Sequence, residues 1–256
     1  MKPFVNLVIV TFNRLEYTKE CLQALYKVDA GYPFKIIIVD NGSDDGTVDF
    51  LEILTRQYDS LIIEKIIFLK ENKGIPYAFN LGWDLSPKDY YLKLDNDMVV
   101  QREGWLKDLV EATDKIQTGA IFAYNVEQVS YVKEVREGLF VRPKPSGNLG
   151  GACHLIPERT FKEFGYWYQF GDKKYGEEDA EYSYRVRAKG YECIYMEDER
   201  AFIHLPGGRA DLPGEEKIYR LFKNRERAKN LMHGSEYHHR LQELHLKKNL
   251  YVDFKP

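Results

Sequence analysis

The sequence predicts an α/β fold, a mainly parallel central sheet with helices on both faces and a helical tail at its C-terminal end. Three observations predict it. Short apolar runs rich in Val and Ile recur at 6–11, 34–40, 64–70 and 90–94, with another at 120–125. Amphipathic segments of helical period separate them, at 14–26, 46–58 and 76–85. Strands that read as near-continuous apolar runs are covered on both faces, and crossover helices between parallel strands supply those covers. Finally, polar clusters follow three of the runs, and ligands of such sheets bind beyond the C-terminal strand ends. The three clusters are therefore expected to meet at one edge.

The first run, Phe4-Val5-Asn6-Leu7-Val8-Ile9-Val10, has strand length and lacks the basic start and small-residue cleavage site of a signal peptide. Thr11-Phe12-Asn13-Arg14 follows it, and Leu15, Cys21, Leu22 and Leu25 then line one side of a helix. The second run stops at Asp40, where a carboxylate can accept hydrogen bonds from a nucleobase. Asn41-Gly42 turns the chain, and Ser43, Asp44 or Asp45 can cap the helix carrying Val48, Leu51, Ile53 and Leu54. After the third run, Gly74 permits a turn and Pro76 suits a first helical turn. Turn chemistry does not readily account for the flanking Asn72 and Asn80. The fourth run, Tyr90-Tyr91-Leu92-Lys93-Leu94, ends in Asp95-Asn96-Asp97. Asp-x-Asp also occurs in solvated turns. Two desolvated carboxylates side by side repel, however, and a hard divalent cation, Mg2+ or Mn2+, relieves both costs while holding phosphates.

At 256 residues the chain makes one large domain or two small ones, with 44% hydrophobic and 30% charged residues. A net charge of −3 speaks against a nucleic-acid binder. Cys21, Cys153 and Cys193 form no Cys-x-x-Cys pair, which argues against a zinc site or disulfide framework and fits a reducing compartment. No run approaches the roughly 18 apolar residues of a membrane span, and a cytoplasmic location is expected. Composition shifts in the tail, 213–256. Lys217, Arg220, Lys223, Arg225, Arg227 and Lys229 interleave there with Ile218, Leu221, Phe222 and Leu231. A basic amphipathic helix packs on its own domain, or docks on anionic lipid or a phosphorylated acceptor, a peripheral membrane contact.

Taken in order, Thr11-Phe12-Asn13-Arg14, Asp40-Asn41-Gly42-Ser43-Asp44-Asp45, Asn72-Lys73-Gly74 and Asp95-Asn96-Asp97 resemble the nucleotide-sugar half of family 2 glycosyltransferases of GT-A fold. The match runs from about Phe4 to His204. Gly150-Gly151-Ala152-Cys153-His154-Leu155-Ile156 resembles the family's strand beneath the donor sugar. Glu177-Glu178-Asp179, with Glu181, Arg185 and Gly190 behind it, is similar to the family's Glu-Asp motif, although acids in a first helical turn also complement the helix dipole. The resemblance implies a GT-A (Rossmann-like) domain at 1–212, donor half 1–100 and acceptor half 101–212, followed by the tail. It implies donor contacts at Thr11, Phe12, Asn13, Arg14, Asp40, Asn41, Asn72, Gly74, Asn80, Asp95, Asn96 and Gly151. Asp97 is implied as a direct ligand of Mn2+ or Mg2+, with Asp95 reaching the ribose or the metal through water, and His204 completing the shell. Asp179 matches the general base, and Glu178 orients the site or acceptor. Trp167, Tyr168 and Glu177 are expected at the acceptor, with 131–145 as an acceptor loop and Gly207-Gly208-Arg209 as a loop closing on diphosphate.

The implied reaction moves one sugar from a nucleoside-diphosphate sugar, UDP-sugar favoured, to a hydroxyl of a glycan or lipid-linked acceptor. The acceptor hydroxyl needs a base during attack, and no nucleophile beneath the sugar suggests itself, so inversion is expected. Three alternatives share parts of the pattern. A nucleotidyltransferase would carry a Gly-rich basic loop where Thr11-Phe12-Asn13-Arg14 stands. A non-catalytic nucleotide-sugar or carbohydrate-binding subunit needs no base. A transferase acting on modified DNA fits the chemistry, with overall charge against it. The Gln-x-x-Arg-Trp motif of processive synthases is absent.

Overall fold

A computed structural model gives the fold, and it describes residues 4–57, 62–86, 89–124, 132–145, 149, 152–171, 177–198, 200–205, 239–240, 242 and 250–256. The first half alternates as the sequence suggests: β1 (Val5–Thr11), α1 (Leu15–Lys27), β2 (Phe34–Asp40), α2 (Thr47–Gln57), β3 (Ile63–Phe68), α3 (Ile75–Leu85) and β4 (Tyr90–Asp95). The second half adds β5 (Met98–Val100), α4 (Trp105–Lys115), β6 (Gly119–Tyr124), β7 (Glu134–Arg136), β8 (Leu139–Lys144), β9 (Cys153–Pro157), α5 (Glu158–Phe164), α6 (Glu178–Ala188), β10 (Glu192–Met196) and β11 (Phe202–His204).

Among the described residues nine strands form one sheet in the order β3-β2-β1-β4-β9-β6-β10-β8-β7. The four N-terminal strands are parallel throughout. β9 runs antiparallel to both β4 and β6, and β10 restores a parallel pair with β6. A small second sheet pairs β5 with β11. Register brings the predicted edge together, with Thr11 opposite Asp40 and Val10 opposite Asp95.

Period-2 alternation divides the core in two. Val5, Leu7, Ile9, Ile36, Ile38, Leu92 and Leu94 face one way, against α1, α2 and α4. Val8, Ile37, Val39 and Tyr91 face the other, against α3, α5 and α6. Gly82 lets α3 lie close on β1, since a Cβ there would sit 2.5 Å from a Val8 methyl. The buried Asn6 donates to the Ser86 carbonyl at 2.7 Å, satisfying a group at the end of α3.

Part of the expected acceptor loop at 131–145 is a hairpin, β7 and β8 joined through Glu137-Gly138, both at positive φ (50° and 79°). Such a two-residue turn matches the strand twist. Glu134 and Arg136, half-buried and ion-paired to each other while Val135 points outward, hid the strand pattern in the sequence.

Most of the basic tail lies outside the described residues, but 250–256 is placed. Val252 bridges Gly165 in parallel, accepting from Tyr166 N–H at 2.9 Å and donating to the Phe164 carbonyl at 3.0 Å. Gly165, at φ 68°, is required, because a Cβ would stand 2.1 Å from the Val252 carbonyl oxygen. Phe254 packs against Tyr77 and Tyr166. No helix among the described residues is long and apolar enough to cross a membrane.

Candidate active site

Loops after β1, β2 and β3 are tied to one another by their own polar side chains. Asp40 is fully buried, and its carboxylate accepts from Thr11 Oγ1 (2.8 Å), Ser43 Oγ (2.6 Å), Ser43 N–H (2.9 Å) and Gly42 N–H (3.2 Å). It shapes the turn after β2 from within. Asn13 accepts from Asp44 N–H at 2.8 Å. Of the candidate caps, Asp45 serves two helices, accepting from Leu15 N–H at 2.9 Å and Thr47 N–H at 3.1 Å. Asn41, also buried, donates to Asn72 Oδ1 at 3.1 Å and accepts from Lys73 N–H at 2.9 Å, while Asn72 accepts from Gly74 N–H. These asparagines join the β2 and β3 loops, and Gly74 (φ 97°) opens α3 beside them. Phe12 lies half-buried between Thr11 and Asn13.

The β4 end carries the acids. Asp97 is buried, 2.8 Å from Arg14 Nη1 and 3.4 Å from His204 Nε2 through the same oxygen. His204 is brought there by the β5–β11 pair, where it stands opposite Met98, and Leu205 N–H donates to the Asp97 carbonyl. Burial would raise Asp97; the hydrogen bonds and charges of His204 and Arg14 outweigh it and hold the carboxyl at about 2. Asp95 pairs with Lys93, and Asn96 donates to Thr18 Oγ1 at 2.9 Å. Among the described residues no three His, Cys, Asp or Glu side chains stand together as a formed metal site. Yet Asp97 Oδ1 is buried without a hydrogen-bond partner. Two carboxylates and an imidazole are a donor set that suits Mn2+ or Mg2+. By donor chemistry, with the unpartnered Asp97 Oδ1 among its atoms, this set is compatible with such an ion.

Across from them α6 begins. Glu177 takes a left-handed conformation (φ 72°), Glu178 turns inward and is buried, and Asp179 accepts from Ala180 N–H at 2.8 Å. Burial and the neighbouring Asp179 charge push Glu178 up to about 8, with Lys93 opposing. Lys93 and Asp95 thus act on Glu178 through space, so the start of α6 lies within electrostatic reach of the end of β4.

Two expected contacts have other uses. Asn80 grips the backbone of Trp167 with both ends of its amide, donating to the carbonyl at 2.8 Å and accepting from the N–H at 3.0 Å. Buried as it is, it positions the 164–170 segment instead of facing a donor. Trp167 is 1% exposed, packed among Phe79, Trp83 and His154. It backs the site and presents no open ring to an acceptor. Tyr168, half-buried, lies beneath the Arg240 guanidinium at 4.3 Å. Gly151 and the Gly207-Gly208-Arg209 loop lie outside the described residues.

Sequence reasoning passed over Lys93, which the fold buries between the acidic motifs and 5.1 Å from the Phe79 ring centroid. Its signal was a lysine inside an apolar run. It also gave no structural role to Arg185, a fully buried guanidinium that bonds Glu181 and the carbonyls of Phe164, Tyr166 and Leu250.

A sequence model of the family described as "Glycosyl transferase family 2" matches residues 6–165. Glycosyltransferase AglE of Haloferax volcanii is 32% identical over 108 residues, 41% of this chain and 34% of AglE. Mannosyltransferase PcManGT from Pyrobaculum calidifontis, solved with GDP-Man and Mn2+, superposes with a TM-score of 0.62 at 16% identity, over 82% of this chain and 59% of that one. S. aureus TarS 1–349, in complex with UDP-GlcNAc, gives 0.56 at 17%, over 78% and 58%. At such identities the likeness is one of fold. The chain spans about a third of AglE and under two thirds of either structure.

Proposed function

Since the chain belongs to glycosyl transferase family 2, we propose that it is a metal-dependent, inverting glycosyltransferase that moves one sugar from a nucleoside-diphosphate sugar to an acceptor hydroxyl. The observation that carries this reading is the cluster at the end of β4, where Asp97 meets Arg14 and His204 and Asp95 meets Lys93, with the buried Glu178 of α6 within electrostatic reach of Lys93 and Asp95. One acidic group serves the leaving side of the anomeric carbon and the other serves the attacking side.

Asp97, Asp95 and His204 would hold Mn2+ or Mg2+, which when bound counters the charge that grows on the departing diphosphate. Phe12, Asn13 and Asn72 are the partly exposed rim on which the nucleoside would lie, with the buried Thr11 and Asn41 holding that rim from beneath. Asp179, half-buried at the helix start, takes the proton of the acceptor hydroxyl during attack, and Glu178 orients the acceptor beside it. Single displacement with one base gives inversion. Relatives of this fold bind GDP-Man and UDP-GlcNAc, which supports a UDP- or GDP-sugar donor. A glycan or lipid-linked acceptor is the working choice.

The test is a panel of UDP-, GDP- and dTDP-sugars in thermal-shift and donor-hydrolysis assays, with Mn2+, Mg2+ or EDTA. We expect one donor to stabilise the protein only with metal, and Asp97→Ala to abolish that stabilisation. Asp179→Asn should still bind donor and lose roughly 10²–10⁴-fold in turnover. Binding of no nucleotide sugar under any metal condition would sink the proposal in favour of a degenerate binding module.

A further inference from the structure

The acidic end of β4 is already neutralised by cations of the chain itself. Arg14, 4% exposed, lies 2.8 Å from Asp97, and Lys93, its side chain equally buried, pairs with Asp95. Neither cation is a loose surface side chain. Arg14 and the preceding Asn13 both have left-handed backbones (φ 66° and 56°), a conformation non-glycine residues adopt at a cost. The Arg14 guanidinium lies 4.2 Å from the Tyr17 ring centroid. The Lys93 ammonium sits against Phe79 and 5.9 Å from the Trp167 centroid, in the aromatic floor that Asn80 fixes. Each of the two β4-end carboxylates therefore has a buried monovalent cation of the chain as its partner.

We infer that these two residues keep the divalent cation out of the nucleotide-free protein, so that metal and nucleoside diphosphate enter the site together. This rests on the family 2 reading. A divalent ion approaching Asp97 meets Arg14, buried 2.8 Å from that carboxylate, and on the neighbouring Asp95 it meets the buried Lys93; at such partly desolvated positions like-charge repulsion is stronger than in water. A diphosphate changes the balance. Its oxygens give both cations a new partner, with the bidentate geometry a guanidinium prefers, and the carboxylates are released to the metal. Linkage makes the effect reciprocal: the factor by which nucleotide tightens metal is the factor by which metal tightens nucleotide.

Titration of Mn2+ by electron paramagnetic resonance, without turnover, tests this. Wild type, Arg14→Met and Lys93→Met are compared without nucleotide, each first checked for a cooperative melt. Both variants should bind Mn2+ about tenfold tighter than wild type, within the usual range of such couplings. Wild type is then titrated with and without UDP or GDP, correcting for Mn2+ bound by the nucleotide in solution. A gain of tenfold or more with one of them is expected, and this arm decides the matter if a variant fails to fold. Equal Mn2+ affinity in wild type and folded variants, or tight Mn2+ binding by wild type alone, overturns the inference and leaves the glycosyltransferase reading intact. No Mn2+ uptake by any protein, with or without nucleotide, removes the metal-dependent reading and the inference together.

Discussion

Glu178 is a carboxyl that the fold prefers to keep neutral. A glutamate in the unfolded chain releases its proton near 4.5, whereas burial and Asp179 hold the folded one to about 8. Its contribution to stability is full below the lower value and is lost as pH rises through the upper one. Wild-type Tm should therefore fall across pH 5 to 8.5 more steeply than that of Glu178→Gln, which cannot ionise. Calorimetric scans over that range check it, and parallel curves would refute it. At this scale the sequence was most legible where a side chain serves the backbone beside it, as with Asp45 at the start of α2. It was least legible where the partner is backbone far along the chain. Asn80 looked like a donor contact because its amide has no local use; its partner is the peptide of Trp167, 87 residues on. Trp167 looked like a sugar platform because no pattern announces which face of an aromatic cluster it closes.

The helix that presents Glu178 and Asp179 is held from behind. Arg185 and Glu181 pair at 2.9 Å with neither side chain exposed, and Arg240 reaches the other Glu181 oxygen at 3.3 Å. Removing Arg185 leaves Glu181 with Arg240 alone and takes the donor from three carbonyls, and breaking such a buried pair costs about 3–5 kcal/mol. Arg185→Met should lower stability in denaturant by that order. Gly165→Ala, strained in φ and clashing with Val252, should lose about 1–3 kcal/mol from the backbone strain alone. Urea titration of both, with equal m-values, would show loss of contacts and not of compactness. The alternation of strands and helices up to β4 could be read because crossover helices carry a period distinct from the strands. The insertion of β9 between β4 and β6 could not, since its apolar Cys153–Pro157 says nothing about which neighbours it takes. The β7–β8 hairpin stayed hidden for the same reason, with charged residues on an edge strand.

At the scale of the whole molecule, one sheet edge gathers loops from β1, β2, β3 and β4, while residues 250–256 pack on α3 and on the turn after α5. That gathering was foreseeable, because parallel strands joined by crossovers must all end on the same side. That packing was not, because Tyr251, Val252 and Phe254 resemble any short apolar stretch. Deleting 250–256 should lower Tm measurably and loosen α6 more than β1–β4, as amide hydrogen exchange would report. Among the contacts that attach the heptapeptide are two main-chain hydrogen bonds, one guanidinium, the buried Leu250 and a phenylalanine ring, too little for appreciable affinity on its own. Covalent attachment is what keeps it seated, at an effective concentration on the order of millimolar. The truncated protein should then be restored by synthetic Leu-Tyr-Val-Asp-Phe-Lys-Pro only at millimolar doses, and the contact beside Gly165 becomes a place where a small competitor can act on α6 without touching the proposed sugar-transfer site.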